Sequence, residues 1–134
     1  MKTLLTSEIN SNYVGLMEEL KLRLETFNLL EDMINKKPSS RTSPLILEGA
    51  YLQIRKACEI IAVAVLLVHN LIPGFRSRRF VDQYNADALL GKLSKLNQSA
   101  FPVAIKAMPG NRIVIKTNGY LTLKEFQQIY RQLG

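Results

Sequence analysis

Residues 51–70, YLQIRKACEIIAVAVLLVHN, decide how this chain folds. Arg55 and Glu59 stand one helical turn apart, and the apolar run Ile60 to Val68 follows at once. A bilayer span needs about 20 consecutive apolar residues. This run is far shorter and is bracketed by Glu59 and His69, so it reads as the spine of a helical core. Leu47, Tyr51, Ile54, Cys58, Ile61, Val65 and Val68 recur at steps of four and three. They predict the buried seam of a helix from Ser43 to about Asn70, stopped by Pro73 and Gly74. Ala50, Ala57 and Ala64 form a narrower stripe beside that seam.

Upstream, Ile9, Tyr13, Leu16, Leu20, Phe27, Leu30 and Ile34 repeat the same steps over about residues 8–34, with Arg23 in the one gap. Met17 and Leu24 widen this seam. The segment KKPSSRTSP, residues 36–44, is a turn, with Ser43 as the expected N-cap and Pro44 at the first helical position. Two long helices on a short turn pack as an antiparallel hairpin. With the turn centred near residue 40, Arg23 falls opposite residues 56–59. Arg23, Arg55 and Glu59 then form an ion network that sets helix register.

From Ile60 onward the second helix is apolar all round, so one partner helix cannot cover it. Either the C-terminal half folds over it, or a second copy packs against the alanine stripe. A homodimer is expected. Beyond Gly74, FRSRRFVDQYNAD is a basic connector with Phe75, Phe80 and Tyr84 interleaved. A third helix is predicted over 86–96 with Leu89, Leu90, Leu93 and Leu96 inward. Two short strands, 103–108 and 113–117, flank PGNR. For Ile105 and Ile115 to share a face, their loop needs three or five residues. Thr122 and Glu125 have capping-box spacing and open a last helix with Phe126, Ile129, Tyr130 and Leu133 inward. The expected fold class is mainly α (α+β), one domain over residues 1–134.

Charge is distributed unevenly. Residues 1–70 hold eight basic and eight acidic side chains, whereas the rest carries the entire net charge of +7. That asymmetry points to an acidic partner, nucleic acid or an acidic protein, on the C-terminal half. Arg76, Arg78 and Arg79 among aromatics suit phosphate contacts and base stacking. Lys92, Lys95, Lys106 and Lys116 extend the same patch.

Catalytic chemistry finds little support. One cysteine and one histidine supply no zinc set, and on one helix Cys58 and His69 lie about 16 Å apart. His69 reads as a helix-end dipole or capping group. Cys58 reads as a small buried hydrophobe. The glycines follow no phosphate-loop spacing, so neither cofactor nor metal is expected. The lone cysteine and the early polar residues of MKTLLTSEIN fit a cytoplasmic setting without a secretory signal.

Three segments, YLQIRKACEIIAVAVLLVHN, LLGKLSKLNQSAFPVAI and GYLTLKEFQQIYRQLG, resemble a loosely defined set of bacterial helical proteins. In these an Arg-x-x-x-Glu helix precedes a Leu-x-Lys-Leu-Asn segment and a Gly-Tyr-Leu-Thr helix start. The helical part is similar to the HEPN class of helical-hairpin dimers, some of which are ribonucleases using Arg-x(4–6)-His. Here Arg55 and His69 are fourteen positions apart, a departure that argues against nuclease activity. The chain also resembles the orphan products of mobile gene cassettes. The basic C-terminal half and the lack of a catalytic set make a non-catalytic binding or adaptor protein the leading expectation. A divergent nuclease or toxin and a small-ligand protein with a pocket on the second helix are the alternatives.

Overall fold

The structure, a computed structural model, describes residues 2–75, 85–116 and 118–133. Its elements are α1 (Lys2–Asn35), α2 (Ser43–His69), α3 (Ala86–Leu96), β1 (Ile105–Ala107), β2 (Val114–Ile115) and α4 (Leu123–Gln132). The fold is mainly helical, with one small antiparallel hairpin. None of the described helices is long and apolar enough to cross a membrane.

α1 begins at Lys2, not near Glu8 as expected, because no glycine or proline interrupts residues 2–14. It ends where Lys37 enters the left-handed region (φ 54°) and Pro38 removes the next amide donor. The start of α2 also differs from expectation. Thr42 occupies the N-cap without a side-chain cap bond, and Ser43 lies inside the helix. Ser43 Oγ instead donates to the carbonyl of Ser39 at 3.0 Å, tying the turn together.

α1 and α2 pack as the expected antiparallel hairpin. Its register is the expected one: Arg23 lines a shallow hollow with Lys56 and Glu59, and its Nη1 reaches back to donate to Gln53 Oε1 at 3.1 Å. The predicted seam of α2 needs correction. Leu47, Tyr51 and Val68 are exposed, whereas Ala50, Ala57 and Ala64 are buried. Small residues let two helix backbones approach closely, so the alanine stripe is taken by α1. It is not open to a second copy.

The face of α2 one third of a turn away meets α3 and α4. Cys58, Ala62 and Val65 join Leu89, Leu90 and Leu93 of α3 and Phe126 and Tyr130 of α4 in one cluster. Phe126, Leu90 and Leu93 are fully buried at its centre. The C-terminal half therefore supplies the cover that the apolar run of α2 requires. It reaches only as far as Ile54, which is why Tyr51 and Leu47 stay exposed one and two turns further out.

Caps set the ends of the two short helices. Asn85 accepts from the amide of Ala88 at 3.0 Å and starts α3. Thr122 accepts from the amide of Glu125 at 3.3 Å, and its hydroxyl donates to the Glu125 carboxylate at 3.0 Å. Of the expected inward residues, Leu96 of α3 is exposed, and Ile129 of α4 sits at the margin of the core. Both helices run past the cluster they cover. Arg131 clasps Asp87 through Nε–Oδ2 at 2.6 Å and Nη2–Oδ1 at 3.3 Å, joining the end of α4 to the start of α3. In the hairpin Ile105 does pair with Ile115, but Ala107 pairs with Val114 across a bulge. The connecting loop has six residues, 108–113, and not three or five. The bulge supplies the parity that the loop does not.

Candidate ligand-binding pocket

Where the C-terminal half leaves α2, a cleft of about 740 Å³ opens between α1, the end of α2 and residues 97–104. Its walls are mostly apolar, with Met17 and Leu20 on α1, Ile61 and Val65 on α2, and Phe101 and Leu121 opposite. The geometry follows from the sequence upward. α3 ends at Leu96, and the irregular segment after Asn97 lines the cleft against α1 and the end of α2 without filling it. Phe101 turns its ring edge onto Phe126 at 5.5 Å, which anchors this segment to the core.

At the floor lies His69, 6% exposed. Its Nδ1 is 2.7 Å from the carbonyl of Val65, and its Nε2 is 3.2 Å from Nδ2 of Asn97. A carbonyl only accepts, so Nδ1 carries the hydrogen and Nε2 accepts from the Asn97 amide. Asn97 Oδ1 in turn accepts from the amide of Ser99 at 3.0 Å. Phe75 packs against the imidazole with ring centroids 5.4 Å apart. His69 thus bonds a carbonyl in the last turn of α2, as a helix-end histidine is expected to, and in addition forms a buried bridge to the segment after α3. Sequence alone hid this role, because Asn97 lies 28 residues away. Tyr13, Tyr120 and Ser99 add hydroxyls to the lining. The Asn97 amide retains a second N–H that His69 does not use.

The other residues singled out from the sequence fall elsewhere. Arg55 Nε meets Glu59 Oε1 at 3.4 Å, and Lys56 Nζ meets Glu59 Oε2 at 2.9 Å. Arg23 turns to Glu19 at 3.3 Å as well as to Gln53, so its bonds run to those two residues and not to Glu59. The guanidinium of Arg55 also lies over the ring of Tyr130, 5.3 Å from its centroid, and pins α4 to α2. The Tyr130 hydroxyl is buried without a hydrogen-bond partner among the described residues. Cys58 is buried, and burial, reinforced by the charge of Glu59, pushes its thiol up to about 11. A thiol held protonated is no nucleophile near neutral pH.

Lys92 and Lys95 are exposed on the outer side of α3, and Lys106 and Lys116 on the β-hairpin. The amide of Lys116 reaches the carbonyl of Ala104 at 2.9 Å and continues the strand pairing by one residue. Arg76, Arg78 and Arg79 lie outside the described residues. No cluster of three or more His, Cys, Asp or Glu side chains able to hold a metal occurs among the described residues.

No family model matches this chain, and neither a curated protein nor a solved structure is significantly similar to it.

Proposed function

We propose that this is a non-catalytic, cytoplasmic binding protein that takes a small, largely apolar molecule into the cleft above His69. The observation that carries this reading is the cleft itself. Its volume of about 740 Å³ lies inside the range of about 300–1,000 Å³ usual for ligand sites. Apolar walls supply binding energy, and the His69–Asn97 pair places a few polar groups at one end to orient a guest. Arg55 and His69 support no hydrolytic reading. Arg55 is engaged by Glu59 and Tyr130, and both ring nitrogens of His69 are occupied.

The test is displacement of a hydrophobic fluorescent dye, combined with native mass spectrometry for molecules that co-purify. Ala104, on the cleft wall, is the site to block. Ala104→Trp should abolish dye uptake and any retained mass while the circular dichroism stays unchanged. Dye uptake that is indifferent to this substitution would remove the cleft as the site.

A second reading is favoured by the exposed lysines of the C-terminal half. There the protein is an adaptor whose basic surface, Lys92, Lys95, Lys106 and Lys116 with Arg76, Arg78 and Arg79, meets nucleic acid or an acidic protein. Fluorescence anisotropy with labelled RNA and duplex DNA at several salt concentrations tests it. Phosphate contacts predict affinity that falls steeply with salt, and loss of binding when the three arginines become serine. In both readings the binding unit is a homodimer.

A further inference from the structure

The hairpin has two long sides. One carries α3, α4 and the cleft. The other has no covering element among the described residues. On that side Glu19 and Arg23 of α1 face Lys56, Glu59 and Val63 of α2 across a shallow hollow. Leu22, Leu29 and Met33 follow on α1 at steps of seven and four, and Leu45, Leu52 and Val63 on α2 at steps of seven and eleven. Each set is therefore one stripe on its helix. Leu30 lies against Gly49 and Arg23 shares a hollow with Lys56, a register that puts Leu29 level with Leu52 and Met33 level with Leu45. These are large side chains on a small protein, and Leu22, Leu29 and Leu45 are 61%, 65% and 67% exposed. Monomeric proteins rarely leave so extended an apolar patch open.

From this we infer that the uncovered side of the hairpin is the contact between two copies of this chain, joined back to back about a two-fold axis. Two arguments select a second copy as the occupant. The first is size. The shared length of α1 and α2 is about 40 Å at 1.5 Å per residue, and helix axes pack roughly 9 Å apart. A face that long and two helices wide offers on the order of 700–800 Å², close to the roughly 800 Å² each partner contributes to a standard stable interface.

The second argument is charge. The hairpin half of the chain is net neutral, and the ions in the middle of the face are already paired within one chain, Arg23 with Glu19 and Lys56 with Glu59. Two such faces meet without net repulsion. Contact through the opposite side would bring two halves of net charge +7 together. The back-to-back arrangement leaves both C-terminal layers, and both clefts, pointing outward. It also replaces the contact through the alanine stripe anticipated from the sequence, because α1 already occupies that stripe.

The test is sedimentation equilibrium of the full chain from about 1 to 100 µM, in low salt and in 0.5 M NaCl. The expected mass is twice the 15.2 kDa of one chain, retained in high salt because the contact is apolar. The double variant Leu22→Glu/Leu52→Glu should weaken association at least 100-fold with unchanged circular dichroism, whereas Lys95→Glu on the outer layer should leave the dimer intact. If the double variant loses its helical spectrum, Leu22→Ser/Leu52→Ser takes its place, with at least a tenfold weakening expected. A wild-type monomer at 100 µM overturns the inference and leaves the face to some other occupant. So does a dimer that survives these substitutions, since its contact must then lie elsewhere. Dye uptake by the cleft is read on the same samples and stands or falls separately.

Discussion

Nε2 of His69, the last residue of α2, accepts a hydrogen bond from the side-chain amide of Asn97, the residue that ends α3, at 3.2 Å. The same imidazole is tied to the carbonyl of Val65. One ring thus joins the C-terminal ends of two helices whose only connection in the chain runs through residues 70–85. The bridge also forms the polar floor of the cleft, so it couples the stability of that corner to what the cleft can hold.

Asn97→Leu leaves Nε2 of His69 and the amide of Ser99 without their partner. The expected cost is about 1–3 kcal/mol, read as a lower urea midpoint with an unchanged slope. A double-mutant cycle with His69→Phe should show a coupling of about 0.5–3 kcal/mol. Additive effects of the two substitutions would mean that the bond contributes nothing.

Tyr130 presents the opposite case. Its ring is buried beneath Arg55, but its hydroxyl has no hydrogen-bond partner among the described residues. Tyr130→Phe keeps the ring for the guanidinium and removes a buried polar atom. The variant should be as stable as the wild type or more stable by about 1 kcal/mol. Thermal unfolding decides it, and a loss of stability would reveal a partner for the hydroxyl.

Phe126 is the fully buried centre of the contact among α2, α3 and α4. Phe126→Ala should cost about 3–5 kcal/mol, a large share of the roughly 5–15 kcal/mol that holds a domain folded. Because that contact also backs the cleft through Phe101, dye uptake should fall along with stability. If the variant melts within a degree of the wild type, the three-helix cluster is not the core.

Cys58 gives a pH test. Burial raises its thiol from the ordinary 9.0 to about 11, so the folded chain holds this proton more tightly than the unfolded chain. Its contribution is whole below about pH 9 and is lost as the pH climbs towards 11, because there the unfolded thiol ionises while the folded one does not. Urea melts at pH 8 to 11 should therefore lose stability faster for the wild type than for Cys58→Ala. At pH 8 a thiol reagent should react with the native protein only as fast as it opens. Parallel pH profiles for the two proteins would sink this account.

The positions of the helices were written locally, and they could be read. Residues 86–96 have Asn85 before them as a side-chain cap, and Thr122 and Glu125 cap each other at the start of α4. Such signals act within one turn, so no distant part of the chain can overrule them cheaply. The same holds for the hairpin of α1 and α2, whose apolar repeats and intervening prolines admit few other arrangements. The Arg55–Glu59 pair, one turn apart on α2, was legible for the same reason.

What the sequence determined by itself, then, is the order and kind of the elements, the uneven charge between the two halves, and the need for α2 to be covered on more than one face. What only the tertiary structure decided is which face each partner takes. Ala50, Ala57 and Ala64 go to α1, Cys58, Ala62 and Val65 go to α3 and α4, and Leu47 and Tyr51 go uncovered. Periodicity marks stripes, but it cannot say how far along a helix the next layer extends. Likewise a histidine at a helix end has many potential partners. His69 finds Asn97, and the cleft forms above them, only because packing brings the ends of α2 and α3 to one place.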